Sequence, residues 1–292
     1  EVSEAPKRIL IPISNPKTMN SLLDLAFVLR GKSNEPIFPL TVVQRGEKHP
    51  DEVVAKAEKM LGLAVSYAAG ANVPATILTH IDRNVTSGIV RAIEERRITT
   101  VVIGWNGELS APERIFGSIL DRLLERTDKM VLVSKLNHPL NTTKQIVLLL
   151  PANIDLQSGY FDAVKTVKEI VSSLGAKVAA YVVKDDTLKF ADSFKKIKPD
   201  VTMKFSYIAS WTELMNNYIP EFPKDDLVIV ISARRGTIGW HPRLEELPRK
   251  LVQSGLESFI MLYPPERETV DVRGAQGLEL PATFLPKREY DD

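Results

Sequence analysis

The chain has 292 residues, 44% hydrophobic and 26% charged, with 38 basic against 37 acidic side chains and a formal net charge of +1. That length supports two medium domains with separate cores, and the absence of cysteine rules out disulfides, thiolate nucleophiles and cysteine-held metals while suiting a reducing compartment. Interspersed charges leave no basic face for nucleic acid, no apolar run approaches the roughly 20 residues needed to cross a bilayer, and residues 1–7 lack the order of a secretory signal, so a soluble chain is expected.

A β-rich run over 8–13 comes first, followed by an amphipathic helix pattern over 18–29 and a second strand over 36–43. Helical spacing returns over 51–69, then a strand over 74–81, a helix over 85–96, a strand over 99–103, a helix over 119–126 and a fifth strand over 130–133. Strands alternating with helices predict an α/β fold: a doubly wound parallel sheet with helices on both faces. Ligands of such sheets sit beyond the carboxyl ends of the strands, where strand order reverses.

The order then restarts. Gln145-Ile-Val-Leu-Leu-Leu-Pro151 echoes Ile9-Leu-Ile-Pro12, and a helix over 160–174, strands over 177–183 and 201–209, a helix over 211–219 and strands over 227–231 and 259–262 follow. This predicts an internal duplication: two tandem five-stranded domains at 1–140 and 141–265, with a loosely held tail at 266–292.

Gly104-Trp-Asn-Gly107, nine residues, then Gly117-Ser118 lies between a strand pattern and a helix pattern. Glycines let backbone N–H groups crowd an anion, and a helix opening at Gly117-Ser118 adds donors and a positive dipole end, so the stretch reads as a phosphate cradle or, alternatively, as two ordinary turns. The second half repeats Gly236-Thr-Ile-Gly239 but lacks the Gly-Ser, with Pro248-Arg249 where its last helix is expected to open. Its site reads as degraded, with Arg234, Arg235 and Arg249 either attracting an anion or forming a solvated surface.

These motifs resemble the universal stress protein domain, which is adenine nucleotide alpha hydrolase-like, and the duplication resembles its tandem, pseudo-dimeric form with antiparallel fifth strands. The resemblance covers about 260 residues of the chain. Asn84-Val-Thr-Ser-Gly-Ile89, Val102-Ile-Gly-Trp-Asn-Gly107, Phe116-Gly-Ser-Ile-Leu-Asp121 and Val131-Leu-Val-Ser-Lys135 are most similar to the cytosolic region attached to bacterial sodium/proton antiporters. The resemblance implies ATP or another adenine nucleotide, with or without Mg, a membrane antiporter domain in the same parent chain, a homodimer, and a place on the cytoplasmic side of the bacterial inner membrane. Carried over, Pro12, Ile13 and Ser14 end the first strand, Val42 ends the second, Ile103, Gly104 and Gly107 form the loop, and Gly117, Ser118 and Ile119 open the helix. Val42 and Ile103 read equally as sheet core. ATP-binding relatives usually carry aspartate where Ser14 stands, so Ser14 or Asn15 offers a weaker polar contact. Arg83 and Arg114 are further candidates for phosphate.

No P-loop and no strand-end pair of aspartates marks phosphoryl transfer, and His49, His80, His138 and His241 lack metal-ligand spacing, so no enzyme is expected. Three readings stay open: a regulatory nucleotide-binding module of an antiporter, a dimerisation scaffold with vestigial loops, and a weak ATPase acting alone.

Overall fold

The computed structural model describes residues 6–46, 50–105, 117–256 and 258–266. The strands are β1 (Ile9–Pro12), β2 (Ile37–Gln44), β3 (Leu78–Asp82), β4 (Thr100–Gly104), β5 (Met130–Lys135), β6 (Gln145–Leu150), β7 (Lys177–Val183), β8 (Met203–Ile208), β9 (Leu227–Ile231) and β10 (Phe259–Tyr263). They form one sheet in the order β3-β2-β1-β4-β5-β10-β9-β6-β7-β8. Every pairing is parallel except β5 with β10, which run antiparallel with Met261 opposite Val133. The central strands are covered on both faces, and β9 (LVIVI) and β10 (FIMLY) are buried at every position, as continuous β-branched and aromatic runs require.

Helices α1 (Pro16–Arg30), α2 (Pro50–Gly70), α3 (Val85–Arg96) and α4 (Gly117–Arg126) serve the first five strands. Helix α1 starts where it does because Asn15 Oδ1 accepts from the Lys17 N–H at 2.9 Å and Pro16 presets the first turn. Asn84 Oδ1 does the same for α3 by accepting from Ser87 N at 2.9 Å. Helices α5 (Tyr160–Leu174), α6 (Thr187–Lys195), α7 (Trp211–Glu213) and α8 (Arg243–Gln253) serve the second five strands, and α5 packs against α1 across the join. None of the helices among the described residues is long and apolar enough to cross a membrane.

Four elements differ from the sequence expectation. Helix α6 was not expected, and it is held by Asp186, whose side chain accepts from Leu188 N at 2.8 Å, and by buried Phe190 and Phe194. The helix expected over 211–219 holds for α7 and then widens into a π turn (Leu214–Tyr218) before Pro220. Pro248 lies inside α8 rather than opening it; Leu244, Leu247, Pro248 and Leu251 are all buried, and that apolar face holds the helix together despite the lost backbone donor. The third strand begins at Leu78, residue 75 contributing only an isolated bridge to Ile37.

The join also contains Arg234, on the loop after β9. Its guanidinium donates to the carbonyls of Leu124 (2.9 Å), Lys129 (2.6 Å) and Pro264 (3.4 Å). The arginine is 5% exposed, with Glu266 Oε1 3.6 Å from Nε. It therefore fastens the second unit's loop to the last turn of α4, where helix carbonyls lack partners of their own.

Asp226, at the start of β9, is 7% exposed and accepts one hydrogen bond, from Gln145 Nε2 at 3.0 Å. Burial raises its pKa; the Gln145 bond lowers it and the neighbouring Asp225 charge raises it. A carboxyl with a higher pKa when folded binds more protons in the folded state, so stability falls as pH climbs from the unfolded to the folded pKa. Asp226→Asn is expected to raise the melting temperature at neutral pH by a few degrees. The gain should vanish below about pH 4, the unfolded carboxyl range, in thermal melts run across pH.

Candidate functional site

The strand order reverses at β1, which leads into β2 on one side and pairs with β4 on the other. Beyond the carboxyl ends of β1 and β4 lies a cavity of about 220 Å³. Pro12, Ile13, Ser14, Val42, Ile103, Gly104 and Ile119 all line it. Gly117 and Ser118 open α4 immediately before Ile119, and Thr86 Oγ1 of α3 donates to the Ile119 carbonyl at 3.4 Å, tying α3 to the first turn of α4. Gly107 lies outside the described residues, as does Arg114. Arg83 is exposed and is not among the lining residues.

Register decides what the backbone offers. Ile13 N donates to Leu40 O at 2.8 Å, while Arg45 N donates to Asp82 O at 2.8 Å, so the even-numbered residues of β2 face β1 and the odd-numbered ones face β3. Strand β1 has ended by Val42, whose N–H and C=O therefore point into the space that β1 vacates. By the same alternation Gly104 faces the β1 side, because Thr100 N donates to Arg8 O while Trp105 N donates to Ser134 O at 2.8 Å. One strand edge thus supplies a donor beside an acceptor, and α4 adds the positive end of its dipole. The Oδ1 of Asn15 is used in capping α1, while Ser14 is exposed at the mouth.

Glycine is not demanded at Gly104, the first glycine of the motif. At Gly104 the backbone has no positive φ, and an added Cβ would meet Leu22 Cδ1 at 3.6 Å and Thr18 Oγ1 at 3.9 Å, both ordinary contacts. The close approach is at Gly88 in α3, where a Cβ would lie 2.6 Å from Val42 Cγ1 and 2.7 Å from Cγ2. The Gly88 carbonyl also accepts from His80 Nδ1 at 3.0 Å, and His80 Nε2 lies 3.2 Å from Glu95, so this histidine pins α3 to β3.

Sequence reasoning missed Thr18, Leu22, Leu40, Thr41, Val85, Ile89, Trp105, Leu120 and Val133, which complete the lining. Most are aliphatic residues whose pattern signals core alone. Val85, Ile89, Trp105, Leu120 and Val133 stood within stretches already singled out, and that was the available signal.

In the second unit the loop after β9 packs directly onto the turn that follows β6. Ile154 is fully buried there, in the short turn Ile154–Leu156, and a Cβ on Gly239 would lie 2.9 Å from Ile154 Cδ1 and 3.2 Å from its Cα. Leu156, Leu188 and Ile238 are exposed on the elements around it. The three arginines expected to share an anion site or a solvated surface do neither as a group. Arg234 is the buried clamp, Arg235 is exposed and paired with Glu245, and Arg249 lies half-buried on α8.

Two five-stranded doubly wound units joined through antiparallel fifth strands, one of them with a cleft at its switch, define a tandem fold of the universal stress protein type. Residues 6–135, somewhat under half of the chain, match the universal stress protein family. A stretch of 119 residues is 25% identical to the Na(+)/H(+) antiporter NhaS5 of a Synechocystis strain, spanning 39% of this chain and 17% of the antiporter. A universal stress protein from Archaeoglobus fulgidus superposes with a TM-score of 0.57 over 89% of this chain and 98% of its own, at 15% identity. The cytoplasmic domain of a prokaryotic cation chloride cotransporter superposes with a TM-score of 0.57 over 88% of this chain and 95% of its own, at 11% identity. At such identities the likeness is one of fold.

Proposed function

We propose that the chain is a regulatory module that binds ATP or another adenine nucleotide, with or without Mg²⁺ carried on the phosphates, and that it belongs to a bacterial sodium/proton antiporter. In this reading it hangs on the cytoplasmic side of the inner membrane, two copies meet beneath the transporter, and occupancy biases cation/proton exchange through a coupling of about 1–3 kcal/mol. The observation that carries it is the cavity at the strand-order switch, with the Val42 backbone edge on one side and the start of α4 on the other. An N–H beside a C=O suits a base edge that presents an acceptor beside a donor, as adenine does, and the α4 terminus suits phosphate. The relation to an antiporter over 119 residues supports the choice of parent.

Thermal melts with ATP, ADP and AMP, each with and without Mg²⁺, test the binding. At a hundred times Kd the folded state gains about 2.7 kcal/mol, which shifts the melting temperature upward by several degrees. No shift with any nucleotide overturns the reading, and steady phosphate release would replace a binding module with an ATPase. The exposed Leu156, Leu188 and Ile238 of the second unit favour a scaffold as the second reading. That reading predicts assembly indifferent to nucleotide.

A further inference from the structure

The residue after β4 stands apart from the rest of the cavity wall. Trp105 N donates to Ser134 O at 2.8 Å, so the sheet itself fixes the indole's origin. One part of the side chain lines the cavity with Pro12, Val42 and Ile119. The ring also meets Phe259 of β10 edge-on, with centroids 5.5 Å apart and planes at 71°, so the indole touches both the cleft and the second unit. Its Nε1–H is buried and has no acceptor among the described residues. A buried indole donor ordinarily finds a partner, because leaving it unpaired forfeits its hydration without return. The second unit places Ser232 at the matching position, its N–H bonded to Leu262 O at 2.7 Å, and there Gly239 packs against Ile154.

We propose that Trp105 is a ligand-contact residue of the first cleft: its indole N–H donates to an oxygen acceptor of the bound molecule, and its ring forms the wall that separates the ligand from Phe259. The inference rests on the nucleotide reading and deepens it, giving the cleft a neutral, directional donor for a hydroxyl or phosphate oxygen. It also gives the cleft a built-in optical reporter, since an indole that gains a hydrogen bond to a ligand changes its emission.

The test compares the wild-type chain with Trp105→Phe, which keeps an aromatic ring against Phe259 and deletes only the N–H. ADP and ATP are titrated by calorimetry and by fluorescence, and the difference between wild-type and variant spectra isolates Trp105 from Trp211 and Trp240. Affinity is expected to fall about tenfold in the variant, the cost of one lost hydrogen bond. The ligand-free melting temperature should hold or rise, since an unpaired donor is removed. A saturable emission change should appear in the wild type and be absent from the variant. Equal affinity in the two proteins overturns the role of Trp105 and leaves the nucleotide reading standing. A lower melting temperature with unchanged affinity makes the indole purely structural, and no heat with either nucleotide in the wild type overturns both.

Discussion

Arg234→Ala is expected to lower stability by about 3–5 kcal/mol, the range for leaving buried polar groups without their charged partner. The side chain is 5% exposed and reaches three carbonyls that belong to the end of α4, the turn before β5 and the segment after β10. Its removal opens a cavity and leaves those oxygens buried without a donor. A single ammonium cannot serve three divergent acceptors, so Arg234→Lys should recover only a minor part of the loss. Urea unfolding followed by circular dichroism reads the effect directly. A loss under 1 kcal/mol for the alanine variant would mean that water replaces the guanidinium and that the clamp is dispensable.

Gly88→Ala is expected to do the opposite of what a glycine in a helix interior usually predicts. Alanine there ordinarily gains about 1 kcal/mol of helix stability. Here the new methyl would lie 2.6–2.7 Å from both γ-carbons of Val42, a clash that a packed core relieves at a cost of about 1–3 kcal/mol. The residue that must move is the one whose backbone edge faces the cavity, so nucleotide affinity should fall together with stability. Val42→Ala removes the colliding methyls, and the double variant should regain stability relative to Gly88→Ala alone, a coupling that a double-mutant cycle measures. Additive effects would show that α3 shifts as a body and spares Val42.

The boundaries of α3, α5, β7 and β9 fall where periodicity puts them, because each is a continuous apolar stripe or run bounded by turn residues. The antiparallel meeting of the fifth strands followed from the resemblance, and the register of Met261 opposite Val133 bears it out. Helix α6 escaped because only Phe190 and Phe194 are buried in it, a stripe too faint to separate from a loop. Of the cavity lining, the strand-end residues Pro12, Ile13, Ser14 and Val42 followed from the resemblance. The direction of the Val42 backbone depends on which strand stops first, and the contact between Gly88 and Val42 joins two separate elements, so neither could be read from local pattern. Trp105 stood in the open within the glycine motif; its meaning depends on Phe259, contributed by the last strand.

The seating of Ile154 against Gly239 fixes the arithmetic of any response. A fold with two matching units would ordinarily take two molecules of effector and let the first arrival alter the second. On the proposed nucleotide reading, Ile154 stands in the second seat, so the occupancy curve of a single chain is expected to be a plain hyperbola that plateaus at one equivalent. On that same reading, any steepness in an assembly of chains must arise between chains.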